Sequence, residues 1–300
     1  MKKKAIKFLK WTGISLVTLV GLALAFVYGS SYFIFNSTFD IPLTQVTISA
    51  DSASIAEGFR QTRLMHCNGC HGENMSGKIL EDNDVVGTLV SANIPKRIES
   101  YTDAEIYRLI RHGVKQNNKL AFIMPAEMFY ELNDESVLHI IAYLRSLEVQ
   151  ENDPPLPEMK VKFPIHMGLA LKKFEPEPWR MDHKAPRRFL EHDDSPVAFG
   201  EYLIHTACTH CHGNNLEGGG FMNTPALSII VKYDNEQFRH FFKTGEPVDN
   251  NSTNTMSNLA KECFKYFTDE EVDAMFAYLR SRLGTTDAVE IAGIPASNSE

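Results

Sequence analysis

Two short patterns, Cys67-Asn68-Gly69-Cys70-His71 and Cys208-Thr209-His210-Cys211-His212, constrain this 300-residue chain more than anything else in it. Each sets two thiols on one turn with an imidazole directly after them. Composition alone would give such a pattern about 0.003 times in a chain of this make-up. Three other chemistries use paired cysteines. Zinc would need pairs 141 residues apart to converge, although each has its own histidine. A thioredoxin-like redox pair needs a βαβ context, which is not found. Disulfides would leave both histidines unexplained. Attachment of c-type haem uses every residue: two thiols add across two vinyl groups, and the next histidine coordinates the iron. Two covalently bound haems c are therefore expected, on Cys67 and Cys70 and on Cys208 and Cys211, with His71 and His212 as axial ligands.

The motifs head an internal repeat. Cys67–Gly77 and Cys208–Gly218 match at six of eleven positions, and Asn133–Ser146 and Thr268–Ser281 at eight of fourteen. Between them, Tyr101–Gly113 parallels Tyr233–Gly245. Thr102 with Glu105, and Thr268 with Glu271, have the spacing of a capping box. Ser195-Pro196 reads as a cap followed by proline at the first helical position. Val137, Ile140, Ile141 and Leu144 form a stripe at helical spacing. No alternating strand pattern is found, so the body is expected to be all-α, each half having a helix before its motif, a middle helix and a C-terminal helix. Residues 151–196 hold eight of the fourteen prolines, together with Phe163, Leu169, Leu171, Phe174 and Trp179. They read as an extended connector packed along the modules. The predicted division is 1–40 lysine cluster and anchor, 41–150 first module, 151–195 connector, and 196–300 second module with a C-terminal tail.

Lys2, Lys3, Lys4, Lys7 and Lys10 precede 25 strongly apolar residues, Trp11–Phe35. As a helix these would run about 38 Å, enough to cross a ~30 Å hydrocarbon core. The lysines should stay in the cytoplasm, giving a single pass through a bacterial inner membrane with the modules on the periplasmic or equivalent exoplasmic side. Ala23-Leu24-Ala25 is an A-x-A-like site and leaves a cleaved signal peptide open, although the apolar run exceeds the roughly 7–15 residues usual there. The formal net charge is −8 despite this basic start. An acidic body does not neutralise phosphates, so nucleic acid is not an expected partner. A hydrophobic share of 43% and a charged share of 23% exclude a disordered chain, collagen and a polytopic membrane protein.

A low-spin carrier needs a second axial ligand on each iron. Met124, followed by Pro125, lies 53 residues after His71, and Met256 lies 44 after His212. A thioether there stabilises ferrous iron and raises the potential. Met128 is the rival of Met124, and Met222 of Met256; Met65, Met75 and Met275 read as packing. His112 is another alternative to Met124. Arg111 reads either as a donor to a haem propionate or as an exposed cation. His66 and His210 read as surface groups, and Glu81–Asp84 and Asp269–Glu271 as solvated acid faces or helix starts. Cys263 is a buried free thiol or, alternatively, a thiolate ligand.

In the first half, Ile106–Val114 (IYRLIRHGV), Met124–Glu135 (MPAEMFYELNDE) and Ala142–Leu147 (AYLRSL) resemble the class I cytochrome c family. So do Gly200–Leu203 (GEYL), Met256–Val272 (MSNLAKECFKYFTDEEV) and Ala277–Ser281 (AYLRS) in the second. The chain is more closely similar to the membrane-bound dihaem members, such as cytochrome subunits of bacterial dehydrogenases. The resemblance covers most of residues 50–285. It implies two tandem class I domains, with Met124 and Met256 where the family puts its ligand. Ser257 departs from the pattern, standing where the first module has Pro125. Many such subunits carry three CxxCH motifs, and several have a C-terminal anchor; this chain has two motifs and an N-terminal apolar run. The implied role is that of a carrier rather than a catalyst. It would pass single electrons from a respiratory or dehydrogenase donor to an acceptor such as a terminal oxidase. Its partners would be a membrane dehydrogenase, a terminal oxidase or a small periplasmic carrier. A dihaem enzyme of the thiosulfate dehydrogenase or peroxidase type and a fixed subunit of a larger complex are the alternatives.

Overall fold

The computed structural model describes residues 2–149, 156–188, 195–219, 224–249 and 254–283. Helix α1, Lys2–Asn36, is long and apolar enough to cross a membrane. Most of it stands clear of the body. Only its last turns are covered, where Ser31 and Ile34 are buried.

The first module is built on α2 (Ser52–Leu64), α3 (Asp103–His112) and α4 (Asp134–Ser146). Asp51 caps α2 by accepting from the Ser54 N–H, and Asn133 caps α4 by accepting from that of Ser136. The Thr102–Glu105 capping box opens α3, and Gly113 closes it at φ 62°. The connector contributes α5 (Phe163–Ala170). The second module repeats the plan with α6 (Pro196–Ala207), α7 (Asn235–Thr244), α8 (Asn254–Glu262) and α9 (Asp269–Arg282). Ser195 caps α6 with Pro196 in its first turn, and Thr268–Glu271 is a capping box on α9. Asp234–Gln237 forms another on α7, which the sequence reading passed over. In each module the first and last helices pack face to face: α2 on α4, and α6 on α9.

The body also holds a small sheet that periodicity did not signal. Strands β1 (Ile79–Asn83) and β2 (Gly87–Val90) form an antiparallel hairpin, with Ile79 opposite Val90 and Asn83 opposite Gly87. Strand β3 (Lys160–Val161) adds to β2 from the connector. These strands are too short and too exposed to show an alternating apolar face. Local chemistry makes the turn: the Asn83 carboxamide accepts from the Val85 and Val86 N–H groups. The acidic run Glu81–Asp84 therefore belongs to a hairpin rather than to a helix start.

The connector is strapped down along its described length. Leu169 is buried with Ile34 and Leu120, and Trp179 stands edge-on to Phe33 and Phe39. The Tyr130 hydroxyl donates to Ala185 O at 2.6 Å, and Arg187 pairs with Asp134 at 2.7 Å. The modules also meet each other directly, sharing one continuous core. The Arg60 guanidinium donates to both Glu271 oxygens, at 2.8 and 2.9 Å, and to Tyr266 O. The ring of Phe59 stands edge-on to that of Tyr266. Glu271, read from sequence as part of an acid face, is thus buried in this contact while still capping α9.

A pH dependence follows from the strap. His183 donates from Nε2 to Pro178 O at 2.9 Å, leaving its Nδ1 to accept from His112 Nδ1 at 3.1 Å. Burial, then His183, Arg111, Arg108 and Arg187, push His112 from its ordinary 6.5 down to about 4. Burial also lowers His183. A histidine depressed by folding adds stability above its ordinary value and loses it as pH falls towards the depressed one. The chain is expected to lose on the order of 1–2 kcal/mol between pH 6.5 and 4, after allowing for solvent screening. Urea unfolding of wild type and His183→Phe at pH 7 and pH 5 checks this. The variant should show a weaker pH dependence, keeping the part that burial of His112 imposes; equal dependence in both would remove the pair as its origin.

Candidate haem sites

The two CxxCH segments fold alike. In the first, residues Cys67–His71 form one short helical turn, ended by Gly72 at φ 81°. In the second, Thr209–His212 does the same and ends at Gly213, φ 77°. The chain then loops and turns again at Gly77 (φ 80°) and Gly218 (φ 79°). The Gly77 N–H donates to His71 O at 2.7 Å, and the Gly218 N–H to His212 O at 2.9 Å. A Cβ on Gly77 would stand 2.7 Å from Ser91 O, and one on Gly218 2.3 Å from Thr224 O. Glycine thus lets the following strand of chain press against the motif. That approach sets the two carbonyls that orient the histidines. His71 Nδ1 donates to Ala92 O at 2.9 Å, and His212 Nδ1 to Pro225 O at 2.8 Å.

With Nδ1 committed to a carbonyl, each neutral ring keeps Nε2 as a free electron pair, the arrangement a metal-ligating histidine needs. His212 is buried and its Nε2 has no protein partner. Burial lowers the pKa of both His71 and His212, against the pull of the carbonyls, and so favours the neutral ring. Each ring borders an apolar cavity. The first, about 400 Å³, is lined among others by Cys67, Cys70, His71, Met124, Pro125 and Phe129. The second, about 350 Å³, is lined among others by Cys208, His212, Met256, Ser257, Phe241 and Phe242. Both fall in the range of small-molecule and cofactor sites. Burial also pushes the Cys67 and Cys208 thiols up to about 12. In each site two thiols on one turn beside an apolar pocket, and in the second an orphaned buried imidazole nitrogen, fit a covalently held haem. A haem c contributes an iron that exchanges one electron.

Each cavity brings together a CxxCH histidine and the methionine expected opposite it. Cys211 is not on the second cavity's wall but stands on the same turn, where its carbonyl accepts from Thr224 Oγ1 at 2.6 Å. Met128 packs on the core and does not line the first cavity, whereas Met65 and Met159 do reach it. Met222 lies outside the described residues. His112 stands off the cavity, paired with His183. Arg111 is neither an exposed cation nor on a cavity wall. It is buried, and it donates to Phe129 O, Tyr130 O and Leu132 O and pairs with Asp134 at 2.5 Å. His210 is exposed, 3.5 Å from Glu177. His66 is half-buried rather than a surface group. Its Nδ1 lies 2.7 Å from Cys263 Sγ, across the contact between the modules. A Cβ on Gly69 would stand 1.9 Å from the His66 ring, so the glycine inside the motif makes room for it. Cys263 is buried, does not line the second cavity, and is pushed up to about 12 chiefly by burial. It is a buried thiol, kept neutral by burial, beside His66. The sequence reading missed the Ala92 and Pro225 carbonyls. Their only trace was the glycine ending both matched eleven-residue stretches.

Comparison with known proteins agrees with this geometry. Residues 51–144 match the family described as cytochrome C oxidase, cbb3-type, subunit III. Residues 197–282 match cytochrome c. The chain is similar to the cytochrome c subunits of alcohol dehydrogenase (quinone) from Gluconacetobacter polyoxogenes and Komagataeibacter europaeus. It is 29% identical to each over 216 residues, which is 68% of this chain and 43% of theirs. The chain thus spans less than half the length of those relatives. Two CxxCH turns, each walled into its own apolar pocket and each within a matched region, identify both modules as cytochrome c family domains.

Proposed function

We propose that this chain is a membrane-anchored dihaem cytochrome c. Cys67 and Cys70 hold one haem between His71 and Met124; Cys208 and Cys211 hold the other between His212 and Met256. The observation that carries this reading is the pairing, in both cavities, of a carbonyl-oriented histidine with a methionine on the wall. Ala92 O and Pro225 O fix the imidazole planes, and the apolar walls keep water away, which helps set the potential. The α1 span fixes the chain in a bacterial inner membrane with its lysines in the cytoplasm and both modules outside. The chain accepts electrons from a dehydrogenase and passes them to a terminal oxidase or small carrier. The name of the similar subunits favours a dehydrogenase as the partner, and with it the second reading, a fixed subunit of a larger complex.

Spectroelectrochemical titration of the purified full chain, with haem counted in the same sample, tests the assignment. Two haems per chain, both low-spin with methionine-ligated spectra, are the expected result. Cys208→Ala combined with Cys211→Ala should leave one. A high-spin centre in the wild type would overturn a ligand assignment and move the enzyme reading forward. Mild extraction from membranes decides between free carrier and subunit, since a fixed subunit leaves with its dehydrogenase in constant ratio.

A further inference from the structure

Arg111 is taken up by backbone carbonyls and Asp134, so it is not free to meet a haem carboxylate. Two other cations are. Histidines aside, the charged side chains that line the first cavity among the described residues are Arg97 and Lys115. Tyr101 lines it with them, and its hydroxyl accepts from the Gln116 N–H at 3.3 Å. Lys115 is half-buried. Burial, then the charges of Arg97 and Lys119, hold its ammonium below the usual range, and no carboxylate counters them. Lys119 is engaged elsewhere, donating to Asn36 Oδ1 at 2.9 Å. Among the described residues Arg97 has no ion pair either. Like charges on the wall of an apolar cavity are costly unless an anion joins them.

The internal repeat shows that this pair belongs to one module. Tyr101–Gly113 parallels Tyr233–Gly245. The Val248 backbone holds the Tyr233 hydroxyl as that of Gln116 holds the Tyr101 hydroxyl. On that alignment Arg97 corresponds to Ile229 and Lys115 to Pro247, and both of these line the second cavity. The same two wall positions are therefore cationic in one module and uncharged in the other. Lys232 and Asp249 also line the second cavity, but they pair with each other at 2.9 Å and their charges cancel. A haem c is an apolar ring carrying two carboxylates. An arginine and a lysine at the edge of an apolar cavity are the donors that suit it.

We propose that Arg97 and Lys115 form a cationic site for the carboxylates of the first haem, and that the second module has lost this site. The proposal rests on the reading of both cavities as haem sites. Its consequence is an inequality between the two centres. Positive charge near an iron favours the form that carries the extra electron. On charge alone, the first module holds its electron more tightly than the second.

Redox titration of the full, haem-loaded chain, with haem counted in the same sample, tests this. The first centre is identified as the one that remains in the Cys208→Ala, Cys211→Ala chain. In Arg97→Gln combined with Lys115→Gln, its ferrous-to-ferric ratio at a fixed applied potential should fall about tenfold, a shift of about 59 mV for one electron. The second midpoint, the haem count and the methionine-ligated spectra should hold. Arg97→Lys combined with Lys115→Arg keeps both charges and should stay near the wild type. In the second module, Ile229→Arg should raise the second midpoint and leave the first. Two methionine-ligated haems with an unmoved first midpoint in the double glutamine variant would overturn the cationic site and leave the haem reading standing. A fall as large in the charge-conserving variant would assign the effect to packing and overturn it as well. A wild-type chain without two haems would overturn the haem reading itself.

Discussion

Replacing Gly58 or Gly200 by alanine is expected to destabilise the module that carries it by roughly 2–3 kcal/mol, the scale of an overpacked core. For a unit of about 100 residues this lowers the melting temperature by roughly 10–20 °C. The cause is the closeness of two helix crossings. A Cβ on Gly58 in α2 would lie 1.9 Å from His139 O in α4, and one on Gly200 in α6 would lie 1.9 Å from Ala274 O in α9. In both cases the obstacle is helix backbone, which does not step aside as a side-chain tip can. The helices must part, and the core between them opens. Because the crossings are equivalent, the two variants should be alike in size of effect. Gly21→Ala is the control, since a Cβ there meets nothing within 4 Å. Thermal unfolding followed in the haem absorbance reads the result. A shift of less than about 2 °C at either crossing would show that the helices yield easily, and that these glycines are not what fixes the module.

How far the fold could be read in advance follows from the range of the forces involved. Capping boxes, the α4 stripe and the Ser195-Pro196 start are decided within a few residues, and they stand where they were expected. The residues of each CxxCH motif share one short turn, which their spacing alone decides. The hairpin was illegible because its strands are short and β1 is exposed, so no apolar alternation marks them. Two other features were illegible because their partners are remote in sequence. Arg111 read as free or haem-bound because the carbonyls it serves, at 129, 130 and 132, leave no side-chain signal. His66 read as a surface group because its partner, Cys263, is 197 residues away. Likewise the connector was recognisable as proline-rich and partly apolar. Only its contact with Ser31 and Ile34 shows which of its residues pack inward.

Met124→Ala and Met256→Ala are each expected to abolish the methionine-ligated spectrum of one haem and leave the other intact. The potential of the affected centre should fall by more than about 100 mV, well inside the ~0.8 V that axial ligands span. The thioether is a soft donor that favours ferrous iron, and its removal withdraws that stabilisation. In the first cavity, Met65 and Met159 also reach the wall, so methionine content alone does not choose the ligand; the resemblance at Met124-Pro125 is what favours Met124. Met128→Leu provides the discriminating control. Met128 packs on the core outside the cavity, and a leucine conserves most of its volume, so the spectrum and both potentials should hold. If Met128→Leu shifts a potential and Met124→Ala does not, the ligand lies one helical turn further on. In the second module Ser257 replaces proline after the methionine, and it sits buried with its hydroxyl unpartnered on the cavity wall. Ser257→Ala should therefore move the second potential without changing ligation, whereas Met256→Ala changes both. That difference separates a residue that tunes the pocket from one that binds the iron.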